Sequence, residues 1–382
     1  MPKSTREFRV AVPEIGGGVS RRTFLRGASM LAALGGVAAV AAACGGGSGG
    51  GGGGANTLNF YNWTAYIDDS SEPKSQQTIP LFQSETGIKV NYSTYSSNDE
   101  LLTKLRSGNS GFDLVVPSDY AVKKLIDADQ LEPLQVDTIP NLANLAPKYR
   151  DTPFDPGNEY SVIWMNGNTG IGFNRSKVTE PVTDSSIFSN PKYKGKMTIL
   201  DEMRSTVAQA MFFLGIPLDT TSTAQLDEAF AQLEAWKSNG VAINSDYQDP
   251  LGKGDLVAAM AYSGDVYQQI DAGSTDLEYV IPTQGSDQYI DAMVIPKGAP
   301  NPENARRFIN YVYEPEVSAR LMTAVTYRNG NEKAYPLLAP EVRDNPVVFP
   351  PPDVEARLKF VPYLSDEQEE QWRVRWDKLV AS

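Results

Sequence analysis

The chain has 382 residues, enough for two lobes rather than one small core, and its 41% hydrophobic and 21% charged residues are a globular composition. Thirty-four Lys and Arg against 47 Asp and Glu give a net charge of −13, which argues against nucleic acid, whose binding rests on clustered cations. With no histidine and one cysteine, a Ser-His-Asp triad, a Cys-His dyad, a His-rich zinc site and an internal disulfide framework are excluded.

Residues 1–43 read as an address. Ser20-Arg21-Arg22-Thr23-Phe24-Leu25-Arg26 is a twin-arginine sequence, followed by an Ala/Gly-rich apolar run over 28–43. That run is short for a membrane span, which needs about 20 residues. Basic residues, an apolar run and small residues before a cut site describe a secretory signal. Ala41-Ala42-Ala43-Cys44 resembles the lipobox of bacterial lipoproteins, whose cysteine is acylated and becomes the mature N-terminus; Ala41 stands where leucine is usual. The plain alternative is an uncleaved anchor with an incidental cysteine. Residues 45–54 are all glycine except Ser48, a tether with no side chains to bury and an end-to-end distance of roughly 17 Å. Removing 1–43 takes away six cations and two anions and leaves a net charge of −17, so lipid rather than the acidic surface would hold the protein at a membrane.

After the tether, strands and helices alternate. A short strand over 58–61 comes first. Helical spacing over 79–85 stops at Thr86-Gly87 and is followed by the strand Ile88-Lys89-Val90. Leu101, Leu102 and Leu105 predict a helix, and Asp113-Leu114-Val115-Val116 a strand. Ser222 with Gln225 forms a capping pattern ahead of the stripe Leu226, Phe230, Leu233 and Trp236. Asn301-Pro302 reads as an N-cap and first-turn proline, and Ser365 with Gln368 caps a last helix carrying Trp372, Trp376 and Leu379. This alternation predicts α/β lobes with mainly parallel sheets.

Several segments in this order carry a resemblance. They are Asn62-Trp63-Thr64-Ala65-Tyr66, Glu85-Thr86-Gly87-Ile88-Lys89-Val90, Asp113-Leu114-Val115-Val116-Pro117-Ser118, Tyr193-Lys194-Gly195-Lys196, Ser263-Gly264-Asp265 and Asp291-Ala292-Met293-Val294-Ile295-Pro296-Lys297. Together they resemble the spermidine/putrescine-binding proteins of bacterial ABC transporters over about 58–379. The resemblance implies a two-lobed, periplasmic-binding-protein-like (type II) α/β fold with the ligand in a cleft between lobes. One lobe would comprise 57–168 plus 292–335, the other 169–291 plus 336–382. It further implies closure by hinge bending, recognition of the closed form by an ABC permease, and a monomer acting on the outer face of the cell membrane. Such a mechanism needs no catalysis, cofactor or metal.

A polyamine asks for carboxylates against each desolvated ammonium and for flat apolar walls along its methylenes, which aromatic rings supply. Trp63, Thr64 and Tyr66 follow a strand end, where open α/β sheets bind ligands, though Trp63 could also be a core plug. Ser118 and Tyr120 match contact positions of the resembled family, and Asp119 between them could be a helix N-cap. Asp265 follows Tyr262-Ser263-Gly264, where glycine would let backbone and ligand approach. Period two puts Tyr289 and Asp291 on one strand face, and Tyr327 matches a further aromatic contact. The resemblance implies a further ammonium acceptor at Glu202, or at Asp201 if the alignment shifts by one. The resemblance also shows departures: Ala65 and Ser205 stand where many relatives carry acids, which weakens the case for a multiply charged amine. A less charged solute in the same fold, a ferric-iron binder, a surface lipoprotein without small ligand, and a carboxylate-pair glycosidase are the other readings. The first keeps most of the site, the second lacks its usual paired tyrosines, and nothing local supports the last.

Overall fold

The computed structural model describes residues 56–382 apart from Glu72, Ser107 and Asn109, so the signal sequence, Cys44 and the glycine tether lie outside the described residues. The strands are β1 (Thr57–Trp63), β2 (Lys89–Tyr95), β3 (Leu114–Val115), β4 (Leu131–Glu132), β5 (Ser161–Asn174), β6 (Met197–Ile199), β7 (Val241–Ile243), β8 (Ala258–Tyr262), β9 (Leu277–Val280), β10 (Ser286–Pro296) and β11 (Leu358–Phe360). They pair in the order β2-β1-β3-β10-β5-β8-β6-β7, with β4 and β11 on β10 and β9 on β5.

The outer strands are parallel, β2 and β3 against β1, and β7 and β8 against β6. The centre departs from the expected parallel sheet. β5 and β10 run antiparallel to each other, and antiparallel to β8 and β3 respectively. A strand that leaves one lobe and a strand that returns must point in opposite directions, so the crossover itself imposes this. All fourteen residues of β5 are buried, which is what a strand shared by two lobes requires.

Two apolar cores flank that crossover. The first gathers Leu58, Phe60, Phe82, Ile163 and Phe308, with the Phe60 and Phe82 rings 5.2 and 5.0 Å from Phe308. The second gathers Ile171, Phe188, Leu233, Trp236, Met260 and, from the last helix, Trp372 and Leu379. Tyr262 packs against both. A third, small cluster sets Leu338 and Val342 against Ala319 and Met322 on the helix Pro315–Val325.

Local signals formed as their chemistry dictates. The helix Thr78–Thr86 ends at Gly87, whose φ of 69° is the left-handed cap conformation that glycine adopts without strain. Ser222 caps the helix Thr223–Ser238, and Ser365 with Gln368 makes a reciprocal capping box on Asp366–Ala381. Asn301 is the N-cap residue of Pro302–Val312 with Pro302 in the first turn, but its side chain makes no capping hydrogen bond. Its backbone N–H and side-chain amide both donate to the fully buried Asp113 (2.6 and 3.2 Å). Asp113 also accepts from the backbone N–H and side chain of Asn59. Asp113→Ala therefore strands donors on two elements, and urea unfolding should show a loss of about 2–4 kcal/mol. A loss below about 0.5 kcal/mol would remove this residue from the scaffold.

Candidate functional site

The crossover places three acids of β10 and its surroundings against hydroxyl donors rather than cations. Asp291, 5% exposed, accepts from Ser118 Oγ (2.6 Å) and Tyr66 Oη (2.9 Å). A bulge sets this up. The register slips between Asp291 and Ala292, leaving Trp164 of β5 without a partner, and its indole N–H reaches the carbonyl of Tyr66 at 3.2 Å. Ser118 also makes an isolated antiparallel bridge with Asp291, fixing the turn after β3 against β10.

Asp265, in the first turn of the helix Ser263–Asp271, accepts from Tyr327 Oη and Tyr247 Oη, each at 2.8 Å. The Tyr247 hydroxyl in turn accepts from the Tyr262 N–H at 2.8 Å. Gly264 serves this arrangement differently from the expected approach to ligand: a Cβ there would run into the Tyr327 ring. Tyr66 and Tyr327 stack edge to face at 5.1 Å, and Tyr262 and Tyr289 at 5.5 Å, so the two acid clusters meet through rings. Gly167 on β5 leaves room for Tyr289 in the same way.

The third acid is Asp287, two residues before Tyr289 on the same β10 face. It accepts from Ser205 Oγ (2.7 Å) and Thr169 Oγ1 (3.0 Å). Glu202 caps the helix Met203–Leu214, its Oε2 taking the Ser205 N–H at 2.7 Å. Nearby, the Arg204 guanidinium lies 4.4 Å over the Tyr120 ring and donates to the carbonyl of Pro362. Trp63 is half-buried at the edge of the first core, with its indole N–H on the Val116 carbonyl at 2.8 Å. Thr64 is exposed and donates to Tyr95 O at 3.3 Å, beside the Trp63 ring that packs 4.6 Å from Tyr95. Asp119 is the first residue of the helix Asp119–Asp127 rather than its cap, which is Ser118; its Oδ2 accepts from the Ile290 N–H at 3.4 Å.

Among the described residues, the ion pairs involve none of Asp119, Glu202, Asp265, Asp287 or Asp291. Burial without a cation disfavours ionisation. It lifts Asp291 to about 7 against the hydroxyls of Ser118 and Tyr66, with Asp119 adding to the rise. It lifts Asp287 and Asp119 each to about 6; hydroxyls of Ser205 and Thr169 oppose it at Asp287, and Arg204 opposes it at Asp119. Asp265 and Glu202 are raised for the same reason. The arrangement is a cluster of buried acids held by hydroxyls and backbone N–H groups, with Arg204 acting on Asp119 and Glu202 but in an ion pair with neither, and an entering cation would favour ionisation of its acids.

Gln288 and Ile290, on the other face of β10, line a cavity of about 340 Å³ together with Asp119, Tyr120, Tyr149, Phe154, Arg328 and Phe360. A second cavity, about 210 Å³, opens beside Glu202, Arg204 and Tyr120 and is lined by further acids, Asp99, Asp201 and Glu369. Sequence reasoning missed Asp287 and Tyr247. The first was within reach, since period two extends the Tyr289–Asp291 face back to 287. Nothing local marks Tyr247, which meets Asp265 only through the fold.

Residues 77–350 match the family of bacterial extracellular solute-binding proteins. The spermidine/putrescine-binding periplasmic protein of Escherichia coli is 34% identical over 298 residues, 77% of this chain and 83% of the relative. A putrescine-binding periplasmic protein of Pseudomonas aeruginosa is 32% identical, over 84% of this chain and 91% of that one. Among solved structures, a Listeria monocytogenes protein described as a spermidine/putrescine ABC transporter superposes with a TM-score of 0.79 at 32% identity, covering 85% of this chain and 98% of that one.

Proposed function

Because the chain belongs to the bacterial extracellular solute-binding proteins, a two-lobed fold built to hold solutes for transport, we propose that it captures a linear polyamine of the putrescine/spermidine class outside the cytoplasmic membrane and delivers it to an ABC permease by lobe closure. The observation that carries this reading is the set Asp265, Asp287 and Asp291 around β10, held by neutral hydroxyls and in no ion pair among the described residues. Ammonium groups supply what those acids lack, and Tyr66, Tyr262, Tyr289 and Tyr327 offer the rings that methylenes require. Trp63, Thr64, Ser118 and Tyr120 complete the proposed site, with Glu202, Asp265 and Asp291 as the ammonium acceptors.

The two cores are the proposed lobes, and the antiparallel pair β5 and β10 is the proposed hinge. The twin-arginine sequence, the Ala-Ala-Ala-Cys junction and the glycine run support export and anchoring through an acylated Cys44, which would tether the acidic protein to the membrane as a monomer. The second reading, a solute with fewer charges, draws on Ala65, which is exposed and offers no acceptor beside Trp63.

Calorimetric titration of the purified full chain with putrescine, cadaverine, spermidine and spermine, beside neutral sugars and amino acids, tests the proposal. The expected result is saturable one-to-one binding of at least one polyamine and none of the sugars. Binding of a singly charged or neutral solute with no heat from any polyamine would replace the first reading by the second.

A further inference from the structure

We infer that Asp287 is a ligand-facing carboxylate of this cleft, the acceptor for a primary ammonium group, in addition to the acids named above; this rests on the polyamine reading. Asp287 is 2% exposed, and both of its donors, Ser205 and Thr169, are neutral hydroxyls bound to Oδ2. Its other oxygen, Oδ1, is equally buried and has no hydrogen-bond partner among the described residues. A carboxylate used only as scaffold would be saturated, as Asp113 is, since an unpartnered buried oxygen is a cost that an amide or an apolar side chain avoids. An orphan oxygen with two lone pairs instead fits a donor that arrives with the ligand.

Position supports this. Asp287, Tyr289 and Asp291 share one face of β10, while Gln288 and Ile290, on the other, line the larger cavity. Glu202 is near enough to Asp287 to oppose its ionisation. Tyr262 packs against both cores, and its hydroxyl is raised by burial first and then by the charges of Glu202, Asp287, Asp265 and Asp291. Because Ser205 Oγ lies 2.7 Å from Asp287, a long acid at 205 and a short acid at 287 can present a carboxylate at the same point. The charge absent at 205 is supplied from the facing strand.

The test is calorimetry of the full chain with putrescine, cadaverine and spermidine at pH 7.5, using wild type, Asp287→Asn, Asp287→Asn with Ser205→Glu, and Asp291→Asn. Asp287→Asn is expected to weaken at least one amine tenfold or more, to change the ranking by chain length, and to leave the melting temperature equal or higher. Ser205→Glu in that background is expected to bring affinity back to within about threefold of wild type. Titration at pH 6 in two buffers of different ionisation enthalpy gives a second readout. With Asp287 at about 6, wild type should release about half a proton more than Asp287→Asn on binding. Should the asparagine variant fail to fold, Asp287→Ser is read by the same criteria. Unchanged affinities in Asp287→Asn beside a large loss in Asp291→Asn would overturn the inference and keep the polyamine reading. No amine binding by wild type would overturn both.

Discussion

Asp291→Asn is expected to weaken polyamine binding by about 100-fold or more at pH 8, while the unliganded protein melts no lower than wild type. Asparagine keeps the shape of the side chain: its oxygen can accept from one of the two hydroxyls, Ser118 on Oδ1 at 2.6 Å or Tyr66 on Oδ2 at 2.9 Å, and its amide N–H can donate to the other. What it removes is the negative charge, in a site 5% exposed where no Lys or Arg pairs with it among the described residues. Losing one partner of a desolvated charge pair costs about 2–5 kcal/mol, which is roughly 30-fold to several thousandfold in affinity. The free protein moves the other way, since a buried carboxylate without a cation is itself unfavourable. Calorimetry and thermal melting on the same samples separate the two effects. Affinity within about threefold of wild type would take Asp291 out of the proposed site, and a large fall in melting temperature would make its role structural.

The second large effect is on pH. Affinity for the amine is expected to fall by about 100-fold between pH 8 and pH 5 through Asp291 alone. A carboxyl lifted to about 7 is ionised in only about 1% of free molecules at pH 5, and an ammonium selects the ionised form. Asp119 and Asp287, each at about 6, steepen the fall. Stability of the unliganded protein has the opposite sign. These folded-state values lie above the ordinary carboxylate range, so the native state holds more protons than the unfolded chain from about pH 4 to 7. Their contribution is complete below the ordinary range and is lost as pH rises through about 6 to 7. Carboxylates held low by partners, such as Glu100 and Glu180 at about 2, titrate below this window. The free protein should thus melt higher at pH 5 than at pH 8, while the ligand-induced rise in melting temperature grows toward pH 8. Equal affinity across this range would show that none of these acids meets the ligand.

Alternation of strand and helix, the caps at Gly87, Ser222 and Ser365, and the apolar stripes all follow from near-neighbour chemistry, and each was legible in the sequence. So was the shared face of Tyr289 and Asp291, because strand period is a local rule. The motif order was enough to identify the family resemblance, and the missing histidine removed most catalytic chemistry without any structure. The tertiary structure decided the rest. Asn301 takes the N-cap position that its sequence announced, but only the fold shows that its N–H groups serve the buried Asp113. Gly264 was read as room for ligand and proved to be room for Tyr327. Leu338 and Val342 name no partner by hydrophobicity alone, and packing set them against the helix Pro315–Val325. Tyr247 carries no local signal at all, and the orphan oxygen of Asp287 exists only once Thr169 and Ser205 are folded against its partner. The physical reason is range. Periodicity and caps act over three or four residues, whereas the desolvation and pairing of a carboxylate depend on what the fold brings to it, as Tyr66 reaches Asp291 across 225 positions of sequence.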